Sequence, residues 1–403
     1  MTSFIPLLSA LFIGAFIVYL TIPIVVKVSK AKKLFDIPDE RKLNKIVIPN
    51  LGGISIFIGI SIATLLSLGT MFFTEIRFIL VGMIIMLFIG IKDDIMVISP
   101  RKKFFAQIVS ALILIIIGNI RLTNLHGILG INEINYFFSI CVSILAIVAI
   151  INAINLIDGI DGLAAGIGIL ISLTFGILFL SMGHLPYGII CFAISGSLIT
   201  FSFYNLFGKT NKIFMGDTGS LILGLLFAVF VIRYNELALE GSEQVSKFSP
   251  ALSMSIIAIP FFDMIRVFCI RILQKKSPVF PDMNHIHHKL LRLGYSHLKT
   301  TIILLCTNLL FIGFVFFISP LNNNLQLILL FSIAIIFSFI PDLILKHQKY
   351  INSLSEKQFT KISFETISIN SISKQGFQKR DYSRLKLIPR EKSKEKEPEE
   401  AIV

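Results

Sequence analysis

Of the 403 residues, 55% are hydrophobic and only 15% are charged. Soluble domains carry about 25% charged residues, so the composition excludes a water-soluble globular protein and points to an integral membrane protein. The formal net charge is +13, yet no basic stripe carries the interleaved aromatics of a nucleic-acid surface, and anionic lipid at a cytoplasmic face accounts for the charge better.

About eleven apolar runs are long enough, or nearly so, to cross a bilayer. They lie near 4–26, 51–73, 76–91, 104–120, 136–155, 163–181, 186–204, 217–233, 249–268, 301–318 and 325–345. The expected fold is therefore an all-α bundle of about eleven transmembrane helices with functional inner loops. No basic segment precedes the first run, and Lys27, Lys30, Lys32 and Lys33 follow it, so it reads as an uncleaved helix. With the N-terminus outside, the inner loops hold 20 Lys and Arg, the outer loops 4, and the tail from Lys346 holds 13. The positive-inside rule then places the tail in the cytoplasm. Two parts follow: a polytopic domain over 1–346 and a basic tail over 347–403, whose charged stretch from Pro389 to Glu400 is expected to be disordered. Cys141, Cys191, Cys269 and Cys306 have the spacing of neither a zinc site nor a disulfide framework.

The polar clusters all fall on the inner side of this topology. Lys92-Asp93-Asp94 ends the third run, where the negative end of the helix dipole disfavours carboxylates without a cation. Asn152, Asn155, Asp158 and Asp161 lie within Asn152-Ala-Ile-Asn-Leu-Ile-Asp-Gly-Ile-Asp-Gly-Leu163, at the membrane edge. Carboxylates there are costly unless they pair, bind cations or do chemistry. Gly216-Asp217-Thr218-Gly219-Ser220 opens the eighth run, where Asp217 reads either as a helix N-cap or as a ligand. Carboxylate and amide oxygens suit Mg²⁺. His285, His287 and His288, followed by Lys289, lie in the longest inner loop. They could hold a transition metal or bind phosphate through charge-assisted hydrogen bonds; the oxygen-rich neighbours favour phosphate. Lys103 and Lys212 are single inner-loop lysines with no distinguishing pattern of their own.

Together these strings resemble the polyprenyl-phosphate N-acetylhexosamine-1-phosphate transferase superfamily, from about Arg41 to His297 and in its motif order. Asp93-Asp94, the segment Asn152 to Leu163, and Asn205 with Lys212 through Ser220 are similar to its acidic motifs. The string Asp282-Met-Asn-His-Ile-His-His-Lys289 resembles the branch that uses UDP-N-acetylglucosamine. The Pro-x-His-His-His pattern of the phospho-N-acetylmuramoyl-pentapeptide branch is missing. Two departures stand out: Asn44 and Asn50 replace a His and an Arg in the first inner loop, and Lys289 replaces an Arg. Lys keeps the charge but loses the bidentate fork.

The resemblance implies transfer of N-acetylhexosamine 1-phosphate from a UDP-sugar to undecaprenyl phosphate in a bacterial inner membrane, releasing UMP. It implies Mg²⁺, with Mn²⁺ as an alternative, on Asp217 and Asn155. It gives Asp93 or Asp94 a base role and sets Asp158 and Asp161 at the nucleotide and sugar. Lys103, Asn152, Asn205, His285, His287, His288 and Lys289 would hold substrate. The bilayer is an expected partner and a homodimer stays open. The alternatives are the muramoyl-pentapeptide reaction and a nucleotide-sugar transporter; the latter would place ionisable groups near the midplane of inverted repeats.

Overall fold

The computed structural model describes residues 4–34, 48–241, 243–275 and 284–374. Asn44 and Asp282 lie outside the described residues. Up to Leu345 the described residues form one compact unit, and those from Lys346 to Lys374 belong to a second.

The helices follow the apolar runs. They are α1 (Phe4–Ala31), α2 (Gly52–Leu68), α3 (Glu75–Ile95) and α4 (Pro100–Leu112). A π turn over Ile113–Ile117 extends α4. A two-stranded antiparallel hairpin follows, β1 (Asn124–Ile128) and β2 (Ile131–Glu133), and is an addition to the all-helical expectation. Then come α5 (Tyr136–Ile157), α6 (Leu163–Ser181), α7 (Leu185–Phe207), α8 (Gly216–Ala238), α9 (Glu243–Ile256), α10 (Ala258–Leu273), α11 (Ile286–Arg292), α12 (His297–Phe317) and α13 (Asn323–Lys374). Side-chain caps start two of them. Asn135 accepts from the Phe138 N–H at 2.8 Å and Ser296 from the Lys299 N–H at 3.3 Å, each satisfying one orphan donor of a first turn.

Among the described residues, seven helices are long and apolar enough to cross a membrane: α1, α5, α6, α7, α8, α12 and α13 as far as Ile351. The protein is thus a multi-pass membrane protein. The other four expected spans are helical but depart from simple crossings. The α2 helix has 17 residues, α3 carries Glu75, Arg77, Lys92, Asp93 and Asp94, and the 104–120 run contains the π turn. The run 249–268 is broken at Ile257 into α9 and α10.

A side chain from another helix bridges that break. Asn308 of α12 is buried, donates to the Ile256 carbonyl at 2.9 Å and accepts from the Ile259 N–H at 3.0 Å. One amide thus replaces the two backbone partners that the break frees, as a lipid-embedded helix requires.

The axis of the bundle is α8. Of its 23 residues only Gly216, Asp217, Arg233 and Glu236 are not buried. Around it pack α2, α3, α5, α6 and α9, while α1 packs on α2 and α7, and α6 packs on α7. Lipid does not drive apolar helices together, so close backbone approach matters. A Cβ on Gly53 of α2 would overlap Gly219, and one on Gly90 of α3 would overlap Thr218. These two contacts draw the ends of α2 and α3 onto the first turn of α8.

Candidate active site

The first turn of α8 is where the acidic motifs meet. Asp94 sends both carboxylate oxygens to it. Oδ1 accepts from the Asp217 N–H at 2.8 Å, and Oδ2 from the Thr218 N–H at 3.0 Å and the Thr218 hydroxyl at 2.6 Å. Asp94 therefore caps α8 from another helix, at the positive end of its dipole. Asn50, where the family pattern has a basic residue, donates to the Asp94 carbonyl at 3.1 Å and braces the same junction.

Asp93 points elsewhere. One oxygen accepts from the Ile98 N–H at 2.8 Å, and the other pairs with Lys103 Nζ at 2.5 Å. The same ammonium contacts Asp217 Oδ2, so Lys103 bridges Asp93 and Asp217. Asp217 is not an N-cap: Met215 holds that position without a side-chain bond. Its Oδ1 accepts from the Asn155 amide at 3.0 Å, and Asn155 also donates to Ser220 at 2.9 Å. One turn back on α5, Asn152 donates to Gln107 Oε1 at 2.9 Å and to the Val148 carbonyl at 2.7 Å.

The turn between α5 and α6 carries Asp158 and Asp161, and their surroundings differ. Asp161 pairs with Lys212 at 2.7 Å and with His297 at 3.5 Å. Burial opposes its ionisation, but His297 and Lys212 outweigh that and hold its pKa below the ordinary value. Asp158 receives no hydrogen bond from any described side chain or backbone group. Burial, then the charges of Asp217, Asp94 and Asp161, push its pKa up to about 8. Removal from water and like charges act in the same direction on a carboxylate. Asn205 is buried and ties this turn down, accepting from the Gly162 N–H at 2.7 Å and donating to the Ile213 carbonyl at 2.9 Å.

The histidine loop closes against this turn. His287 is buried, and its Nε2 lies so close to Gly159 that a Cβ there would collide with it. That explains the Gly of the Asp158-Gly159 pair: the approach needs a residue without a side chain. Burial first, then His288, lower the His287 pKa to about 3, so the imidazole is neutral. His288 is half-buried with its ring 4.2 Å from that of His287. His285 and Lys289 turn away. His285 Nδ1 meets Asp263 Oδ2 at 2.9 Å, and the Lys289 ammonium meets Asp342 Oδ2 at 2.5 Å.

Five carboxylates thus gather at the first turn of α8 and the α5–α6 turn: Asp93, Asp94, Asp158, Asp161 and Asp217. Lys103 and Lys212 are the lysines paired with them. The excess of negative charge and the undonated Asp158 fit a hard divalent cation, and the donors are the oxygens such a cation prefers. Among the described residues no three His, Cys, Asp or Glu side chains enclose a single position. Mg²⁺ does not need them, being held by one or two carboxylates plus substrate phosphates. Sequence reasoning overlooked Gln107, Thr218, Asp263, Arg266 and Asp342. The last three carried a signal, as ionisable residues inside apolar runs.

Comparison with known proteins agrees with this picture. Residues 76–235 match the family model of glycosyl transferase family 4. A probable undecaprenyl-phosphate N-acetylglucosaminyl 1-phosphate transferase of Bacillus subtilis is 32% identical over 314 residues, covering 77% of this chain and 83% of that protein. Two undecaprenyl-phosphate alpha-N-acetylglucosaminyl 1-phosphate transferases are also similar. That of Pasteurella multocida is 33% identical over 330 residues, 79% of this chain and 89% of its own. That of Escherichia coli K12 is 30% identical over 278 residues, 67% and 72% respectively. With acidic motifs gathered at one end of a membrane bundle, and relatives matched over most of both lengths, the chain belongs to glycosyl transferase family 4 and is a membrane-embedded sugar-1-phosphate transferase.

Proposed function

We propose that the protein transfers N-acetylglucosamine 1-phosphate from UDP-N-acetylglucosamine to undecaprenyl phosphate, at the cytoplasmic face of a bacterial inner membrane. The observation that carries this reading is the undonated Asp158 beside the Lys103-bridged pair Asp93 and Asp217, in a chain whose relatives are named for this reaction. An oxygen of the lipid phosphate attacks the sugar-bearing phosphorus. The bond from that phosphorus to the bridging oxygen breaks, and UMP leaves with the electron pair. The products are the lipid diphosphate sugar and UMP.

Both reactants are polyanions, so their approach is opposed by charge. Asp217 and Asn155, with Asp158, are the groups that would hold Mg²⁺ (or Mn²⁺), which when bound would supply positive charge to the diphosphate. Lys103 is shared by two carboxylates, Asp93 and Asp217. Its ammonium is the group placed to meet phosphate oxygens, where charge develops in the transition state. Asp93 orients or deprotonates the lipid phosphate; Asp94, with both oxygens on α8, acts by holding Asp217 in place. His287 and His288 border the turn that carries Asp158 and so stand nearest the nucleotide and sugar.

A transporter is disfavoured. The motif acids Asp93, Asp94, Asp158, Asp161 and Asp217 sit at helix ends or in the turn between α5 and α6, and the break at Ile257 is bridged by the amide of Asn308. The test is purified protein with undecaprenyl phosphate, Mg²⁺ and a panel of UDP-sugars. UMP release is expected with UDP-N-acetylglucosamine, and only with lipid phosphate and the divalent cation present. Release with UDP-N-acetylmuramoyl-pentapeptide instead would favour the sister branch.

A further inference from the structure

A second ionic cluster lies behind the histidine loop, separate from the acidic site, and differs from it in being balanced. Asp263 and Arg266 sit one turn apart on α10, both buried. Asp263 Oδ1 accepts from Arg266 Nη2 at 3.0 Å and from the Ile286 N–H at 3.0 Å, while Oδ2 meets His285. Arg266 Nη2 also donates to the Asn284 carbonyl at 2.5 Å. Its Nη1 reaches α13, donating to the Ser338 carbonyl at 3.3 Å and to Asp342 Oδ2 at 3.2 Å. Lys289, buried on α11, meets the same Asp342 oxygen. Two carboxylates thus face two cations, and three successive contact points of the loop, at 284, 285–286 and 289, are held by α10 and α13.

Buried pairs of this kind contribute little net stability, because desolvation offsets attraction, yet removing one partner is costly. Their better use is to fix geometry. What is fixed here is the loop bearing His287, whose ring rests on Gly159 beside Asp158. We propose that Asp342, in the last apolar helix and outside the family-matched segment 76–235, is a positioning residue. Through Lys289 and Arg266 it sets the histidine loop against the Asp158–Asp161 turn, and so governs binding of the nucleotide sugar. This rests on the reading of the site as a nucleotide-sugar site. It also reassigns Lys289, whose ammonium serves the clamp and not a substrate phosphate.

The test compares wild type with Asp342→Asn, Lys289→Gln, Asp342→Glu and the double variant Asp342→Asn/Lys289→Gln, all full-length in detergent. KM for UDP-N-acetylglucosamine, KM for undecaprenyl phosphate, and hydrogen exchange over 284–292 are measured together. Each neutralising single variant is expected to raise the nucleotide-sugar KM by about ten- to hundredfold, as loss of supporting partners does elsewhere. The lipid KM should stay unchanged. Exchange should rise over 284–292 and not over 216–220. The double variant should be no worse than the worse single, because the two act as one unit, and Asp342→Glu should retain most activity. Unchanged KM with activity falling only as the folded fraction falls would overturn the proposal. So would faster exchange throughout the protein. If the single variants do not fold, the double variant and Asp342→Glu decide: normal nucleotide-sugar KM and unaltered exchange in the double variant would also overturn it. Wild type that releases no UMP would instead refute the reading of the site.

Discussion

The two ends of the bundle handle charge differently. At the end away from the acidic motifs, carboxylates find donors. Glu75 pairs through Oε1 with Arg233 at 3.0 Å and through Oε2 with the Tyr187 hydroxyl, which in turn accepts from Arg233 Nε at 3.0 Å. Glu236 accepts from the Thr123 N–H and hydroxyl, each at 2.7 Å. Asn323 and Asn324 of α13 donate to the carbonyls of His126 and Gly127 in the hairpin region. At the other end, Asp94 and Asp161 have partners too, but Lys103 is divided between two carboxylates, and Asp158 has no donor among the described residues. Paired groups at a membrane edge hold a fold together. Unpaired ones are tolerated only where a ligand completes them.

Substitutions can break this contrast, and the largest effect is expected at Asp217. Asp217→Asn keeps shape but removes a charged oxygen facing Lys103 and Asn155. Turnover should fall by at least about 10²–10³-fold, with the melting temperature little changed. Lys103→Met should cost about 10²-fold in kcat. It should also weaken folding at neutral pH, because Asp93 and Asp217 lose their shared cation, and Mg²⁺ should restore that stability. Thermal melts with and without the cation check both.

Asp158 sharpens the contrast through pH. Its folded pKa of about 8 lies above the ordinary 3.8. The ionised form is therefore disfavoured in the folded protein, and ion-free protein should lose stability as pH rises from about 4 to about 8. A cation competes with that proton, so Mg²⁺ stabilisation should grow over the upper part of the range. Asp158→Asn should reduce both trends; a variant with the wild-type pH dependence would refute the assignment. At the opposite end, Glu75→Gln should lower stability by about 1–3 kcal/mol and leave both KM values alone. The smallest effect belongs to the tail. Removing residues 352–403 keeps Asp342 and should leave kcat within about twofold, measured as UMP release by folded protein.

Much of the site was legible because membranes make polar residues conspicuous. Asp93, Asp158, Asp161 and Asp217 stand out between apolar runs, and the structure gathers them at one end. What stayed hidden depended on partners distant in sequence. Asp94 looked unfavourable at the C-terminus of α3; it is relieved by the N-terminus of α8, 123 positions away. Lys103 had no pattern of its own, and its role exists only because it falls between two carboxylates. Lys289 looked like a phosphate ligand, since its partner Asp342 is a single acid at the end of an apolar run. The break at Ile257 was also missed, although Pro260 hinted at it. The residue that makes it tolerable, Asn308, lies on another helix. Of the eleven apolar runs, seven become helices with the length and hydropathy of a crossing among the described residues; α2 is too short, α3 carries charges at both ends, and the other two runs hold a π turn and a break that an apolar run does not reveal.

The most direct test is UMP release from UDP-N-acetylglucosamine and undecaprenyl phosphate, with and without Mg²⁺, by three proteins side by side: wild type, Asp217→Asn and Glu75→Gln. The account predicts Mg²⁺-dependent release by wild type and Glu75→Gln, and none above background by Asp217→Asn. Near wild-type release by Asp217→Asn, or its loss in folded Glu75→Gln, would contradict it.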